Sequence, residues 1–240
     1  LWLQIPIAIL VLVLLTAITL SYRQIIHAYP SGGGAYVVTS TNWGRNAGLV
    51  AGGSLLVDYM LTVAVSVAAG TEAITSAVPA LHPYSVGIGV VIILILMGIN
   101  LRGVRESAGF LMVPVYLFIV MITGMVLYGL YNIATGQVAF HAAAAIGTSS
   151  SSITILLFLR AFSSGSSSLT GVEAISNAVP NFKEPKPRNA AATLSIMALI
   201  LAFFFGGITF LSYWYGIRPN DHVTVLAQIG QTIFGHGVMF

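Results

Sequence analysis

The sequence has 240 residues, of which 57% are hydrophobic and 6% are charged, and its formal net charge at pH 7 is +3. A soluble domain carries roughly 25% charged residues, so this composition excludes a soluble protein and predicts an integral membrane protein. Most basic residues lie in short segments between apolar runs and need no nucleic-acid partner, and the absence of cysteine excludes disulfides and cysteine metal sites.

Repeated apolar runs of about 20 residues predict transmembrane helices, because a helix satisfies its backbone hydrogen bonds internally in hydrocarbon. In chain order, we predict six spans near residues 2–26, 47–77, 86–101, 108–132, 153–179 and 190–215, the fifth of them broken. Together they form a single predicted transmembrane domain over residues 1–240. The chain starts and ends without the features of a complete protein, so we interpret it as a fragment, incomplete at both ends.

Two segments between or after the spans are interpreted separately. The glycine-rich segment "AYPSGGGAYVVTSTNWGRN" follows the first span and is interpreted as a loop with a tight turn. The segment "HVTVLAQIGQTIFG" follows the sixth span and is interpreted as a short helix outside the membrane or the start of another span.

Basic residues are distributed unequally between the loops. If successive loops alternate sides of the membrane, one side holds Arg218 alone and the other holds Arg23, Arg45, Arg102, Arg105, Lys183, Lys186 and Arg188. The positive-inside rule places the second set of loops in the cytoplasm of a cell whose plasma membrane the protein spans.

The second predicted span contains an acid, Asp58, in the stretch "LLVDYMLTVAVS". It lies about 16 Å from the inner end of the span at 1.5 Å per residue, close to the bilayer midplane. An Asp at this depth costs roughly 2.5 to 3.5 kcal/mol on insertion scales and usually marks an ion or substrate path. Thr62 and Ser66 share its helix face, with Tyr59 on the flank, and such oxygen ligands suit a hard cation. Alternatively, Asp58 is protonated or hydrogen-bonded to a neighbouring helix, and the hydroxyls only pack.

The fifth predicted span is interrupted in the sequence "FLRAFSSGSSSLTGVEAISNAVPNFKEP". Serine and glycine have poor helix propensity, so we expect the helix to unwind near Ser163 to Ser168, as in the broken helices of secondary transporters. The sequence "TGVE" predicts a capping box in which Thr170 is the N-cap and Glu173 reaches back to it. The alternative is that Glu173 faces a cavity as a cation ligand or a proton carrier.

Three stretches carry a family resemblance: "AYPSGGGAYVVTSTNWG", "AGGSLLVDYMLTVAVSVAAGTEAITSAVPALH" and "LTGVEAISNAVPNFKEPKPRNA". The chain resembles the amino acid, polyamine and organocation (APC) superfamily of secondary transporters, and within it the KimA group of potassium importers, related to the KUP transporters. The resemblance covers essentially the whole chain. It implies an all-α, LeuT-like inverted-repeat bundle, of which this chain would hold about family helices two to seven.

The resemblance also implies a function. It implies potassium uptake by alternating access, coupling to protons, and ion binding by Asp58, Tyr59, Thr62, Ser66, Thr170 and Glu173. A homodimer in the lipid bilayer fits the group, and no cofactor and no metal besides transported potassium are expected. The family's broken first helix and its tenth helix, which supply further site residues, have no counterpart here, so the stretch alone is not expected to transport.

Other functions are weaker alternatives. An amino acid or polyamine permease would use the same fold, and a passive channel or a membrane receptor would belong to a different class of protein. An enzyme is not expected, because "GSSSL" lacks the second glycine of a nucleophile elbow.

Overall fold

The computed structural model describes residues 4–101, 104–138, 140, 155–218 and 223–235. Every regular element among these residues is helical. The α-helices are α1 (Gln4–Ala28), α2 (Gly34–Trp43), α3 (Arg45–Ala77), α4 (Ser85–Leu101), α5 (Val104–Ala134), α6 (Ile155–Ser166), α7 (Ala174–Asn177), α8 (Lys186–Trp214) and α9 (Val225–Phe234). Short 3-10 helices occur at Pro79–Tyr84, Ser167–Leu169 and Val179–Asn181. Three residues used in the sequence predictions lie outside the described residues: Trp2 and Ile153, where two spans were predicted to begin, and the basic residue Arg102.

Helices of membrane-spanning length dominate the structure. In the described part of the chain, five helical segments are long and apolar enough to cross a bilayer: Gln4–Ala28, Arg45–Ala77, Pro79–Leu101, Leu111–Ala134 and Lys186–Trp214. They correspond to the five predicted spans that have no interruption. The protein is therefore an all-α, multi-pass membrane protein.

The glycine-rich segment after α1 contains a helix, so its interpretation as a loop was wrong. Gly32 and Gly33 precede the helix and Gly34 is its first residue, and all three have a positive φ. Beyond them α2 forms with few helix breakers, and the Asn42 side chain donates a hydrogen bond to the Val38 carbonyl at 2.7 Å. The glycine run thus ends at the first residue of α2, and the rest of that helix contains no glycine.

The predicted fifth span is interrupted, but later than expected. Unwinding was predicted from Ser163 to Ser168, whereas α6 continues to Ser166. Ser166 Oγ donates to the Phe162 carbonyl at 2.8 Å, so this serine satisfies its hydroxyl without opening the helix. The break occupies residues 167–173, and the helix that follows, α7, has only four residues.

The chain divides into two compact units. The first contains Leu1–Val63 and Thr148–Gly206, and the second contains Ala64–Gly147 and Gly207–Phe240. A buried core in the first unit joins α1 and α8 to the segment between α6 and α8; its members include Val11, Leu15, Val172, Val179 and Leu194. In the second unit, α5 contacts α4 and α9. That the whole chain acts as one transport domain stays a prediction.

Candidate functional site

The first unit contains a cavity of about 540 Å³ with two carboxylates in its wall. Asp58 of α3 and Glu173 of the break line it, together with residues of α1 and Ala35 of α2. No Lys, Arg or His is among the lining residues in the described part of the chain. Most of the remaining wall is apolar, so the two acids and a few hydroxyls set its electrostatic character. The arrangement favours a cation over an anion.

The α3 helix contributes the acid to this wall and carries an unusual threonine one turn later, outside the cavity lining. Asp58 is half-buried and lines the cavity. Thr62, one turn later, has a buried Oγ1 without a hydrogen-bond partner in the described structure. Thr19 and Thr71 instead donate to the carbonyl four residues earlier, at 2.7 and 2.8 Å. Thr62 therefore differs from these threonines in having a buried hydroxyl oxygen without a partner among the described residues.

The residues of the break form the opposite wall. Thr170 has an extended backbone (φ −61°, ψ 148°), lines the cavity and donates from Oγ1 to the Ser167 carbonyl at 3.0 Å. Glu173 accepts a hydrogen bond on Oε2 from the Tyr22 hydroxyl at 2.9 Å, while its Oε1 is buried and has no partner among the described residues. Oε2 of Glu173 is therefore engaged in a hydrogen bond, and Oε1 is left without one.

The predicted capping box does not form. Glu173 is the N-cap of α7, and no side chain caps that helix through a hydrogen bond. Thr170 is not its N-cap, because its hydroxyl turns back to Ser167 and its backbone lies before an additional turn. The capping-box interpretation was therefore wrong. The local role that would have explained Glu173 structurally is absent, and its carboxylate lines the cavity.

Three of the predicted site residues, Tyr59, Thr62 and Ser66, do not line the cavity. The Tyr59 hydroxyl accepts a hydrogen bond from the Asn177 side-chain amide, and Tyr59 does not line the cavity. Ser66 belongs to the second unit, is exposed and is also absent from the lining. The structure thus brings Asp58, Thr170 and Glu173 to one cavity, while Tyr59 and Thr62 lie on the same helix as Asp58 outside the lining.

Sequence reasoning missed two contacts of the break. Tyr22 was not considered because one hydroxyl in an apolar span gives little signal. Asn177 was not considered because its partner, Tyr59, is 118 positions away. The glycine run was the available clue: a Cβ at Gly32 would lie 2.6 Å from Pro180 Cδ, and one at Gly34 would overlap Asn177 Oδ1. The glycine turn is a close-packing surface for α7 and the residues after it.

We expect Asn177→Ala to destabilise the first unit by about 1 to 2 kcal/mol, because it removes the hydrogen bond to Tyr59 and leaves that hydroxyl short of a partner. Thermal unfolding of the purified full-length protein in detergent measures the change. Asn181→Ala is the matched control, since Asn181 is exposed and lies one turn later. Equal unfolding temperatures for the two variants would contradict the role given to Asn177.

A family comparison decides the class of protein. The family model for amino acid permeases matches residues 3–240. The chain belongs to the amino acid permease family. This result confirms the resemblance to APC transporters and agrees with the all-helical membrane fold.

Curated relatives of this permease are transporters. The "Potassium transporter KimA" of Bacillus subtilis (strain 168) is 55% identical over 242 residues, which cover 100% of this chain and 40% of that protein. The "Low-affinity putrescine importer PlaP" of Escherichia coli (strain K12) is 26% identical over 218 residues, which cover 87% of this chain and 44% of that protein. The permease chain thus spans about two fifths of the length of these relatives. The resemblance to the KimA group is confirmed.

Proposed function

We propose that this permease forms part of a secondary transporter that takes up potassium, coupled to protons, by alternating access. The observation that carries the proposal is the cavity in the first unit, where Asp58 and Glu173 supply two carboxylates and no basic residue lines the wall. The 55% identity to a protein named as a potassium transporter supports the choice of cation. The role is transport and not enzymatic catalysis.

Asp58 is the principal charge partner of the ion in this proposal. A dehydrated potassium ion needs several oxygen ligands in place of its water, and a carboxylate near the midplane supplies both charge and oxygen. Thr170 adds a hydroxyl oxygen from the cavity wall. Tyr59 and Thr62 of α3 would join it through a change in their present surroundings, and Ser66 is a further ligand in this proposal. Such a change is consistent with alternating access, in which ligands assemble and separate around a fixed site.

Glu173 links the ion to a proton in the same proposal. Two ionised carboxylates and one potassium ion would leave an uncompensated negative charge in a low-dielectric cavity, which is costly. A proton on Glu173 removes that charge, and its free Oε1 is an atom that can carry the proton or bind the ion. Charge balance therefore gives a physical reason for coupling.

The same proposal covers orientation and assembly. The loops that contain seven basic residues would face the cytoplasm of a cell whose plasma membrane the protein spans. The proposal that the protein forms a homodimer rests on the family resemblance alone.

A polyamine importer is the second candidate. Two carboxylates in one cavity of about 540 Å³ also match a diamine, whose two ammonium groups need two anionic partners. The relative named as a putrescine importer makes this candidate specific, although its identity of 26% is much lower.

Uptake by the full-length protein separates the candidates. In cells that lack other potassium importers, we expect saturable rubidium uptake that unlabelled potassium inhibits, that a protonophore abolishes, and that excess putrescine or amino acids leave unchanged. Putrescine or amino acid uptake without rubidium uptake would replace the potassium proposal. Rubidium uptake that does not saturate and ignores the protonophore would indicate a passive channel.

A further inference from the structure

We propose that Tyr22 is a positioning residue that holds the Glu173 carboxylate so that one of its oxygens faces the transported cation. This inference rests on the proposed transport function, because it gives the free oxygen of Glu173 a ligand. Nothing in the pattern of the first span singles out Tyr22. The assignment comes from the geometry around the break.

The contact joins two distant parts of the chain. Tyr22 lies near the end of α1 and Glu173 lies in the break, 151 positions later, with 2.9 Å between the hydroxyl and Oε2. Both side chains line the same cavity, as does Asp58. Oε2 is occupied by the hydroxyl, whereas Oε1 is buried and has no partner among the described residues. The hydrogen bond therefore selects which carboxylate oxygen can meet a ligand.

Tyr22 is itself held firmly. Its ring packs against the buried core of the first unit, and Ile26, one turn later on α1, is fully buried in that core. A glutamate has three rotatable side-chain bonds, and ordering such a side chain costs conformational entropy. Because a rigid tyrosine fixes the carboxylate before a ligand arrives, this cost is met in the folded protein and does not weaken ion binding.

The break cannot fix Glu173 by itself. The helix that Glu173 precedes, α7, has four residues, which is too short to be stable through its own backbone hydrogen bonds. The Glu173 side chain, at the N-cap position of α7, makes no capping hydrogen bond to that helix. Its carboxylate is oriented by a contact from outside the break, and the contact present is the Tyr22 hydroxyl.

A double-mutant cycle in the full-length protein tests the assignment. Tyr22→Phe, Glu173→Gln and the double variant are compared for the KM and maximal rate of rubidium uptake. We expect Tyr22→Phe to raise KM by about fivefold, since a hydrogen bond contributes about 1 kcal/mol. In the Glu173→Gln background, Tyr22→Phe should change KM less than twofold, because the carboxylate on which it acts is gone.

Tyr29→Phe is the matched control. Tyr29 follows α1 directly, and its hydroxyl accepts a hydrogen bond from Asn42 at 2.9 Å, away from the cavity lining. Tyr29→Phe removes a tyrosine hydroxyl near the same end of α1 as Tyr22→Phe does. We expect the KM and the maximal rate of this variant to stay at the wild-type values. Protein level at the membrane is measured for every variant.

Three results would overturn the assignment. Independent, multiplicative effects of Tyr22→Phe and Glu173→Gln would show that the hydroxyl does not act through the carboxylate. A reduced rate at unchanged KM, or loss of Tyr22→Phe from the membrane, would show that Tyr22 only supports the fold. The proposed function fails differently: the wild-type protein then takes up putrescine and not rubidium, and the same cycle is read with putrescine.

Discussion

Asp58→Asn is expected to reduce rubidium uptake by the full-length protein at least about a hundredfold. Removing one partner of a buried charge pair costs roughly 3 to 5 kcal/mol, and each 1.4 kcal/mol is a factor of about ten. Asparagine keeps the shape and one carbonyl oxygen, so the variant isolates the charge. The loss should appear in uptake at low rubidium concentration, with normal protein level in the membrane.

Glu72→Gln is the control for this experiment. Glu72 lies on the same helix and undergoes the same loss of charge, but it belongs to the second unit and lines a different cavity. We expect its uptake to stay within about twofold of the wild-type rate, as for a change outside the site. Wild-type uptake by Asp58→Asn, or an equal loss in both variants, would refute the role of Asp58 as the ion's charge partner.

Gly34→Ala is expected to have the second largest effect, a destabilisation of about 3 kcal/mol. A Cβ at this position would overlap Asn177 Oδ1 and lie 3.0 Å from Ser176 Oγ, and overpacking of this kind costs roughly 1 to 3 kcal/mol. The backbone there has a φ of +42°, which costs an L-residue about 1 to 2 kcal/mol more. We expect less folded protein in the membrane and a lower maximal uptake rate.

Gly136→Ala separates the two contributions. Gly136 also has a left-handed φ, +69°, but a Cβ there would meet no atom within 4 Å. Its destabilisation should therefore be limited to the backbone term of about 1 to 2 kcal/mol. Equal losses of folded protein in Gly34→Ala and Gly136→Ala would show that contact with α7 contributes nothing.

The long helices could be predicted from the sequence because hydrocarbon imposes a simple rule on them. A span must be apolar and continuous, so the predicted range 86–101 differs from α4 by one residue at its start. The range 47–77 differs from α3 by two residues at its start. Asp58 was found for the same reason, since a charge in such a segment is expensive and stands out.

The contacts around the break could not be predicted in the same way. Composition placed the break too early, because the Ser166 hydroxyl bonds within its own helix instead of opening it. The local pattern "TGVE" favoured a capping box, whereas the Glu173 carboxylate instead accepts a hydrogen bond from Tyr22 of α1. These outcomes depend on which distant segment packs against the break, and a local propensity holds no information about that.

The segments that line the cavity are far apart in the sequence, and this has a consequence for biosynthesis. Tyr22 and Glu173 are 151 positions apart, so α1 and α3 emerge from the ribosome long before the segment that completes the cavity. During that interval, Asp58 is part of α3 before the break has completed the cavity around it, and an acid in a membrane helix has an insertion cost of about 2.5 to 3.5 kcal/mol. Docking of the break onto α1 and α3 is then a late assembly step that follows membrane insertion. Asp58 thus adds to the cost of inserting α3 before the cavity that it lines is complete.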